Sequence, residues 1–373
     1  MCSFRYSFAS ISGNCARWTH GGNKKFRLPV FITSIVLLLL SLPTVILANE
    51  TESERGEFLG AMETVYPDWF KISFMEFEED VAEAAEEGKR LMLLFHQNGC
   101  PYCNAFVEKN LAQKDIEERL KSDFDVIELN LWGDREVVSV SGTTYSEKAF
   151  ARALNVQFTP TVLFLTETGE LALRLNGYYG PDQFRLALDY VSNKMESELS
   201  FADFINSKEG TQTSESLVSR DYFTGDAAQL SDRPGKGEKP LIVMFEQGDC
   251  KNCETLHNTI LTKDESQELL NAFDVYQIDM WGRDTFKTPD GSETTGRQWS
   301  SELGVNYAPT MILFAADGTE VIRTEAFFKT FHTQSVMDYV VSDRWRSEPS
   351  FQRYLSARAE EIREAGKNVN IWD

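Results

Sequence analysis

The stretch Phe95-His96-Gln97-Asn98-Gly99-Cys100-Pro101-Tyr102-Cys103-Asn104 follows the apolar run Leu91 to Phe95 and opens a helical pattern. A buried strand that hands a Cys-x-x-Cys pair to a helix N-terminus makes a reactive thiol. Unpaired helix amides and the positive end of the helix dipole favour thiolate over thiol there. The first cysteine is then poised to attack disulfides near neutral pH. The second, one turn further on, closes an intramolecular disulfide and releases the mixed-disulfide partner. The pattern returns as Phe245-Glu246-Gln247-Gly248-Asp249-Cys250-Lys251-Asn252-Cys253 after the run Leu241 to Phe245.

Working outward, the two halves match at an offset of 149 to 150 residues. Cys100 maps to Cys250, Leu131-Trp132-Gly133 to Met280-Trp281-Gly282, Thr159-Pro160-Thr161 to Ala308-Pro309-Thr310, and Ser200-Phe201 to Ser350-Phe351. Agreement in several separate elements predicts an internal duplication. In the first copy the pattern predicts a helix over 75–88, strands at 91–95 and 124–131, one helix from Cys100 to about Lys121, a helical stretch over 145–154, strands at 162–165 and 171–175, and a helix over 182–194. This order predicts an α/β fold with a central mixed sheet in each half. The expected boundaries are a leader at 1–48, a tether at 49–64, one domain over 65–205, a linker with a shortened first element over 206–239, and a second domain with a C-terminal helix over 240–373.

The leader holds Arg5, Arg17, Lys24, Lys25 and Arg27 and no acidic side chain, then runs apolar from Val30 to Ala48. It resembles a secretory signal peptide cleaved after Ala48. The same run is long enough for an uncleaved membrane anchor, which takes about 20 residues. Either way the remainder is expected outside the cytoplasm. Beyond the leader, 58 acidic side chains outnumber 32 basic ones, a field that repels nucleic acid and anionic lipid. Four of the six cysteines lie in the two Cys-x-x-Cys pairs and the other two, Cys2 and Cys15, in the leader. A disulfide framework would scatter them.

With a Cys-x-x-Cys at the first helix and a proline before the hairpin, each half resembles the thioredoxin fold, so two tandem thioredoxin-like domains are expected. Trp-Gly after the second strand, the Thr-Pro-Thr of the first copy and Gly177-Tyr178 look most like exported thioredoxin-like proteins found with periplasmic sulfur oxidation. The resemblance implies that Cys100 and Cys250 are nucleophiles and Cys103 and Cys253 resolving thiols. It also implies that Pro160 and Pro309 are cis, with backbone groups of Thr159 and Ala308 offered to a substrate peptide. There are departures: Leu94 and Met244 stand where many thioredoxins have a buried acid, and Gly99 and Asp249 replace the usual tryptophan. Lys251 would lower the Cys250 pKa and Asp249 would raise it. His96 and His257 are possible proton shuttles, though a structural role is the commoner fate of such histidines. Trp132 and Trp281 are expected to pack at a sheet edge.

The expected function is an exported protein thiol-disulfide oxidoreductase, with reduction favoured by the family likeness. Protein thiols and disulfides are the expected partners and a membrane thiol relay the electron donor, with no bound cofactor. The rivals are a disulfide isomerase or oxidase, and a peptide-binding or chaperone module with locked disulfides. A zinc site of four thiolates is disfavoured because a whole domain separates the two pairs.

Overall fold

In the computed structural model, which describes residues 55–209, 217–233 and 237–373, the strand expected at Leu91 to Phe95 covers Arg90–His96 and is buried along its whole length. The leader, and residues 49–54, 210–216 and 234–236 of the tether and linker, lie outside the described residues. The first copy runs β1 (Phe58–Leu59), α1 (Phe77–Glu86), β2 (Arg90–His96), α2 (Pro101–Ala105), α3 (Lys114–Asp123), β3 (Phe124–Asn130), β4 (Glu136–Val138), β5 (Thr144–Ser146), α4 (Glu147–Ala153), β6 (Thr161–Leu165), β7 (Leu171–Asn176), α5 (Pro181–Ser192) and α6 (Phe201–Glu209). The second runs β8 (Gly225–Asp226), α7 (Ala227–Leu230), β9 (Leu241–Glu246), α8 (Lys251–Thr255), α9 (Asp264–Leu270), β10 (Asp274–Asp279), β11 (Thr285–Lys287), β12 (Glu293–Thr295), α10 (Gly296–Glu302), β13 (Thr310–Phe314), β14 (Glu320–Thr324), α11 (Thr330–Val341), α12 (Phe351–Glu364) and β15 (Val369–Asn370).

Each copy has the expected mixed sheet. In the first, β2 is parallel to β3 and antiparallel to β6, giving the order β3-β2-β6-β7. The second repeats it as β14-β13-β9-β10-β8, the short β8 adding an edge strand. The central strands read as continuous apolar runs because both of their faces are covered. Leu91, Leu93 and Phe95 face a core confined to the first copy, and Leu241, Val243 and Phe245 face one in the second that Ala202 of α6 also joins. The alternate residues Met92 and Leu94, and Ile242 and Met244, belong to one apolar core that runs through both copies.

The long helix expected from Cys100 does not form as one piece. A π-helical segment, Phe106–Leu111, follows α2, and its counterpart Leu256–Ile260 follows α8. In the first copy this turns Phe106, Asn110 and Leu111 inward together. Asn110 is fully buried and donates through Nδ2 to the Tyr179 carbonyl at 3.0 Å, tying the segment to the loop before α5. Segments of this kind recur at functional sites. The end of the expected tether is also more ordered than its polar composition implies. β1 pairs parallel with β15, the Glu57 amide donates to Asn368 Oδ1 at 2.8 Å, and the Met62 amide donates to the Gly99 carbonyl at 3.3 Å.

The two copies meet about a pseudo-twofold relation. Phe158, just before the first Thr-Pro, lies 4.7 Å from Phe328, and its counterpart Tyr307 lies 5.2 Å from Tyr179. Asn176 bonds Glu325, its own equivalent at a separation of 149 residues. Mutual contacts of equivalent residues define an isologous interface. Gly177 permits this approach: it sits at φ +95°, and a Cβ there would lie 2.7 Å from that of Ala326. A duplicated chain has thus become an internal dimer with a shared core.

Candidate active site

The residue before each first cysteine turns the chain through a left-handed conformation, Gly99 at φ 74° and Asp249 at φ 50°. Glycine adopts it freely, and aspartate is among the residues that tolerate it best. Cys100 and Cys250 then become N-caps, their Sγ atoms accepting from the Cys103 and Cys253 amides at 3.0 and 3.1 Å. Both pairs are disulfide-bonded, with Cα–Cα distances of 5.3 and 5.2 Å. Thr159-Pro160 and Ala308-Pro309 are cis. Cys100 Sγ lies 3.5 Å from the Thr159 carbonyl and accepts from Thr159 Oγ1 at 3.4 Å, while Cys250 Sγ lies 3.6 Å from the Ala308 carbonyl.

The two sites differ in what covers them. At the first, Pro101 and Tyr102 are buried, and the second copy forms the roof. The Tyr102 ring meets Phe328, His332 and Trp372 edge-on at 6.0, 5.1 and 5.0 Å, and its hydroxyl accepts from the Lys329 amide at 2.9 Å. Gln352 of α12 donates to the Gln157 carbonyl at 2.8 Å and accepts from Gln97 at 2.7 Å, beside Thr159. At the second site Lys251 is exposed and Asn252 and Ala308 are half-buried. Ala202, which occupies the place of Gln352, has no amide with which to form such a clamp. Cys250 is 9 % exposed against 4 % for Cys100.

His96 sits at the end of β2 but pairs with Glu128, with the Tyr66 ring 4.3 Å away. Hydrogen bonding to His96 holds the Glu128 carboxyl below its usual range. His96 also lines a different cavity from the one that holds Cys100. His257 is fully buried between the Tyr222 hydroxyl and Glu246, whose Oε1 lies 2.5 Å from Nε2 and whose Oε2 accepts from Gln277 at 2.6 Å. Both histidines are thus held in place by carboxylates. Trp281 packs against the core of the second copy, whereas Trp132 is 41 % exposed; the indole N–H groups of the two donate to Gln97 and Gln247, each at 2.9 Å. The repeated glutamine three residues before each cysteine was the available signal for this contact. Nothing local in the sequence pointed to Tyr102, His332 or Gln352, which meet only across the copies.

His332 is enclosed by the rings of Tyr102, Phe328 and Phe331, and burial lowers its pKa from 6.5 to about 4. The unfolded chain therefore takes up a proton that the folded chain refuses. Stability is complete above about pH 6.5 and falls as the pH drops towards 4, by about 3 kcal/mol in all. Urea midpoints from pH 7 to 4.5 should show this decline, and His332→Phe should flatten it. A pH profile that His332→Phe leaves unchanged would contradict the assignment.

A disulfide whose first sulfur caps a helix beside the carbonyl of the residue before a proline, present twice, is the arrangement of a thiol-disulfide oxidoreductase. The chain belongs to the thioredoxin-like domain family, whose model matches residues 77–192 and 227–340. Among solved structures it is similar to a thioredoxin-fold protein from Helicobacter pylori (23% identity, 36% of this chain and 96% of that one, TM-score 0.30). It is also similar to the periplasmic thioredoxin SoxS from Paracoccus pantotrophus (21%, 28% and 98%, TM-score 0.21) and to the oxidised DsbD C-terminal domain from Neisseria meningitidis (15%, 32% and 92%, TM-score 0.24). No curated protein matches the chain. The family assignment rests on the sequence match, and these structural likenesses carry nothing further.

Proposed function

We propose that the protein is an extracytoplasmic reductase of protein disulfides whose client-facing site is Cys250–Cys253. One observation carries this reading: the second pair presents a helix-capping sulfur beside the Ala308 carbonyl with the neighbouring Lys251 exposed. The reduced Cys250 thiolate attacks a client disulfide, forming a mixed disulfide. Cys253 then attacks Cys250 Sγ, so that the client leaves as a dithiol and the Cys250–Cys253 disulfide is restored. Backbone groups of Ala308, before Pro309, hold the client strand next to the reacting sulfur. Thr159 and Pro160 occupy the equivalent place beside Cys100 and Cys103, where the second copy covers them.

The basic leader with its apolar run to Ala48 supports export. Outside the cytoplasm a reductase needs incoming electrons, which makes a membrane thiol relay the natural donor. The test is insulin reduction set beside refolding of scrambled ribonuclease, with the full exported chain. The reading expects insulin reduction to dominate and to vanish on alkylation of the four thiols. Refolding without insulin reduction would make the protein an isomerase or oxidase. Activity that survives alkylation would make it a binding module.

A further inference from the structure

The roof over the first pair leaves a cavity of about 230 Å³. Its floor is Cys100 and Thr159; Gln352, Ala359, Phe331 and His332 of the second copy enclose it. Two features of this space restrict what it can take. Pockets for drug-sized ligands run to about 300–1,000 Å³, whereas an engineered cavity of about 150 Å³ holds benzene, so there is room here for only a handful of heavy atoms. No Asp, Glu, Lys or Arg lines the cavity, although charged residues make up 25% of the chain. A charged ligand would therefore lose its hydration and gain no counter-ion. One of the lining residues carries a polar atom without a partner: His332 Nδ1 is buried and makes no hydrogen bond. A buried polar atom left unpaired is costly unless a ligand or water satisfies it.

We propose that this cavity is a binding site for a small uncharged thiol, which exchanges with the Cys100–Cys103 disulfide where neither a folded protein nor a charged thiol can enter. The inference rests on the oxidoreductase reading above and assigns the first site a different substrate class from the second. In the first step the thiol sulfur attacks Cys100 Sγ and the Cys100–Cys103 bond breaks. Cys103 leaves with the bonding pair and takes up the proton lost by the incoming thiol. A second thiol then attacks the ligand sulfur of the mixed disulfide and releases Cys100, which takes the second proton. Two thiols become one disulfide, and the cysteine pair gains two electrons and two protons. His332 Nδ1 is the positioning group for the polar end of the ligand.

The test follows opening of each disulfide by mass spectrometry after acid quenching. The first pair is isolated in the full chain carrying Cys250→Ser and Cys253→Ser, the second in the chain carrying Cys100→Ser and Cys103→Ser. At equal thiolate concentration, 2-mercaptoethanol should open Cys100–Cys103 at least about tenfold faster than glutathione or reduced thioredoxin, and the second pair should show less than about threefold preference. Ala359→Phe, which fills the cavity, should slow mercaptoethanol at the first pair about tenfold and leave the second pair unchanged. Should that variant fail to fold, Leu355→Ala enlarges the same space and should bring the glutathione rate up towards that of mercaptoethanol. Equal rates for the three reductants at the first pair, or no response to the cavity variant that folds, overturn the proposal while the oxidoreductase reading stands. If excess dithiothreitol opens neither pair, both fall.

Discussion

Cys250→Ser is expected to lower dithiothreitol-driven insulin reduction by the full chain about a thousandfold, whereas Cys100→Ser should lower it less than about threefold. The asymmetry follows from coverage. On the proposed function the client strand lies beside the carbonyl of Thr159 or Ala308, with its sulfur in line with the attacking cysteine. At Thr159 that place is flanked by the Gln97–Gln352 hydrogen bond and by Tyr102 packed under Trp372. At Ala308 the backbone is half-buried and the residue after the cysteine is an exposed lysine. Both sulfurs cap a helix in the same way, so helix electrostatics do not distinguish them. Access does. Steady-state insulin turbidity with each single variant gives the ratio, and equal losses for the two would remove the proposed division of labour.

Phe351→Ala is expected to destabilise both copies together, by about 3–5 kcal/mol, the range for truncating a buried phenylalanine. Phe351 is fully buried at the start of α12, 5.3 Å from Phe158 of the first copy and 5.3 Å from Tyr339 of the second. Its backbone amide donates to Gln157 Oε1 of the first copy at 3.1 Å. Because one apolar core spans both copies, the loss should appear as a lower urea midpoint for the whole transition, with no separate early phase for one half. Ile72→Ala and Phe74→Ala are the controls. Those side chains are 98 % and 97 % exposed, and substitution should change stability by no more than about 0.5 kcal/mol. Unfolding of Phe351→Ala in two steps, at unchanged stability of the first copy, would mean that the copies do not share a core.

Leu91 to Phe95 and Leu241 to Phe245 were legible as central strands because burial on both faces leaves an unbroken apolar run. The duplication was legible because several turn and site residues recur at one offset. The π-helical segments were not, since the apolar pair Phe106 and Leu111 is spaced by five residues, off a 3.6-residue period, and Asn110 is polar yet buried. The interface was invisible for another reason. Nothing in the spacing of Phe158, Tyr179, Tyr307 and Phe328 marks them as partners, and only the assembled chain shows them meeting in pairs. Tyr102 stands between two cysteines with no local partner; the groups it meets lie more than 200 residues away.

The most direct test of the account is competitive alkylation of the fully reduced chain, resolved site by site by mass spectrometry. With a polymer-linked maleimide, Cys250 should be modified at least about tenfold faster than Cys100, and with iodoacetamide the difference should shrink to less than about threefold. Equal labelling of Cys100 and Cys250 by the bulky reagent, in a chain that is still folded, would show that the second copy does not roof the first site.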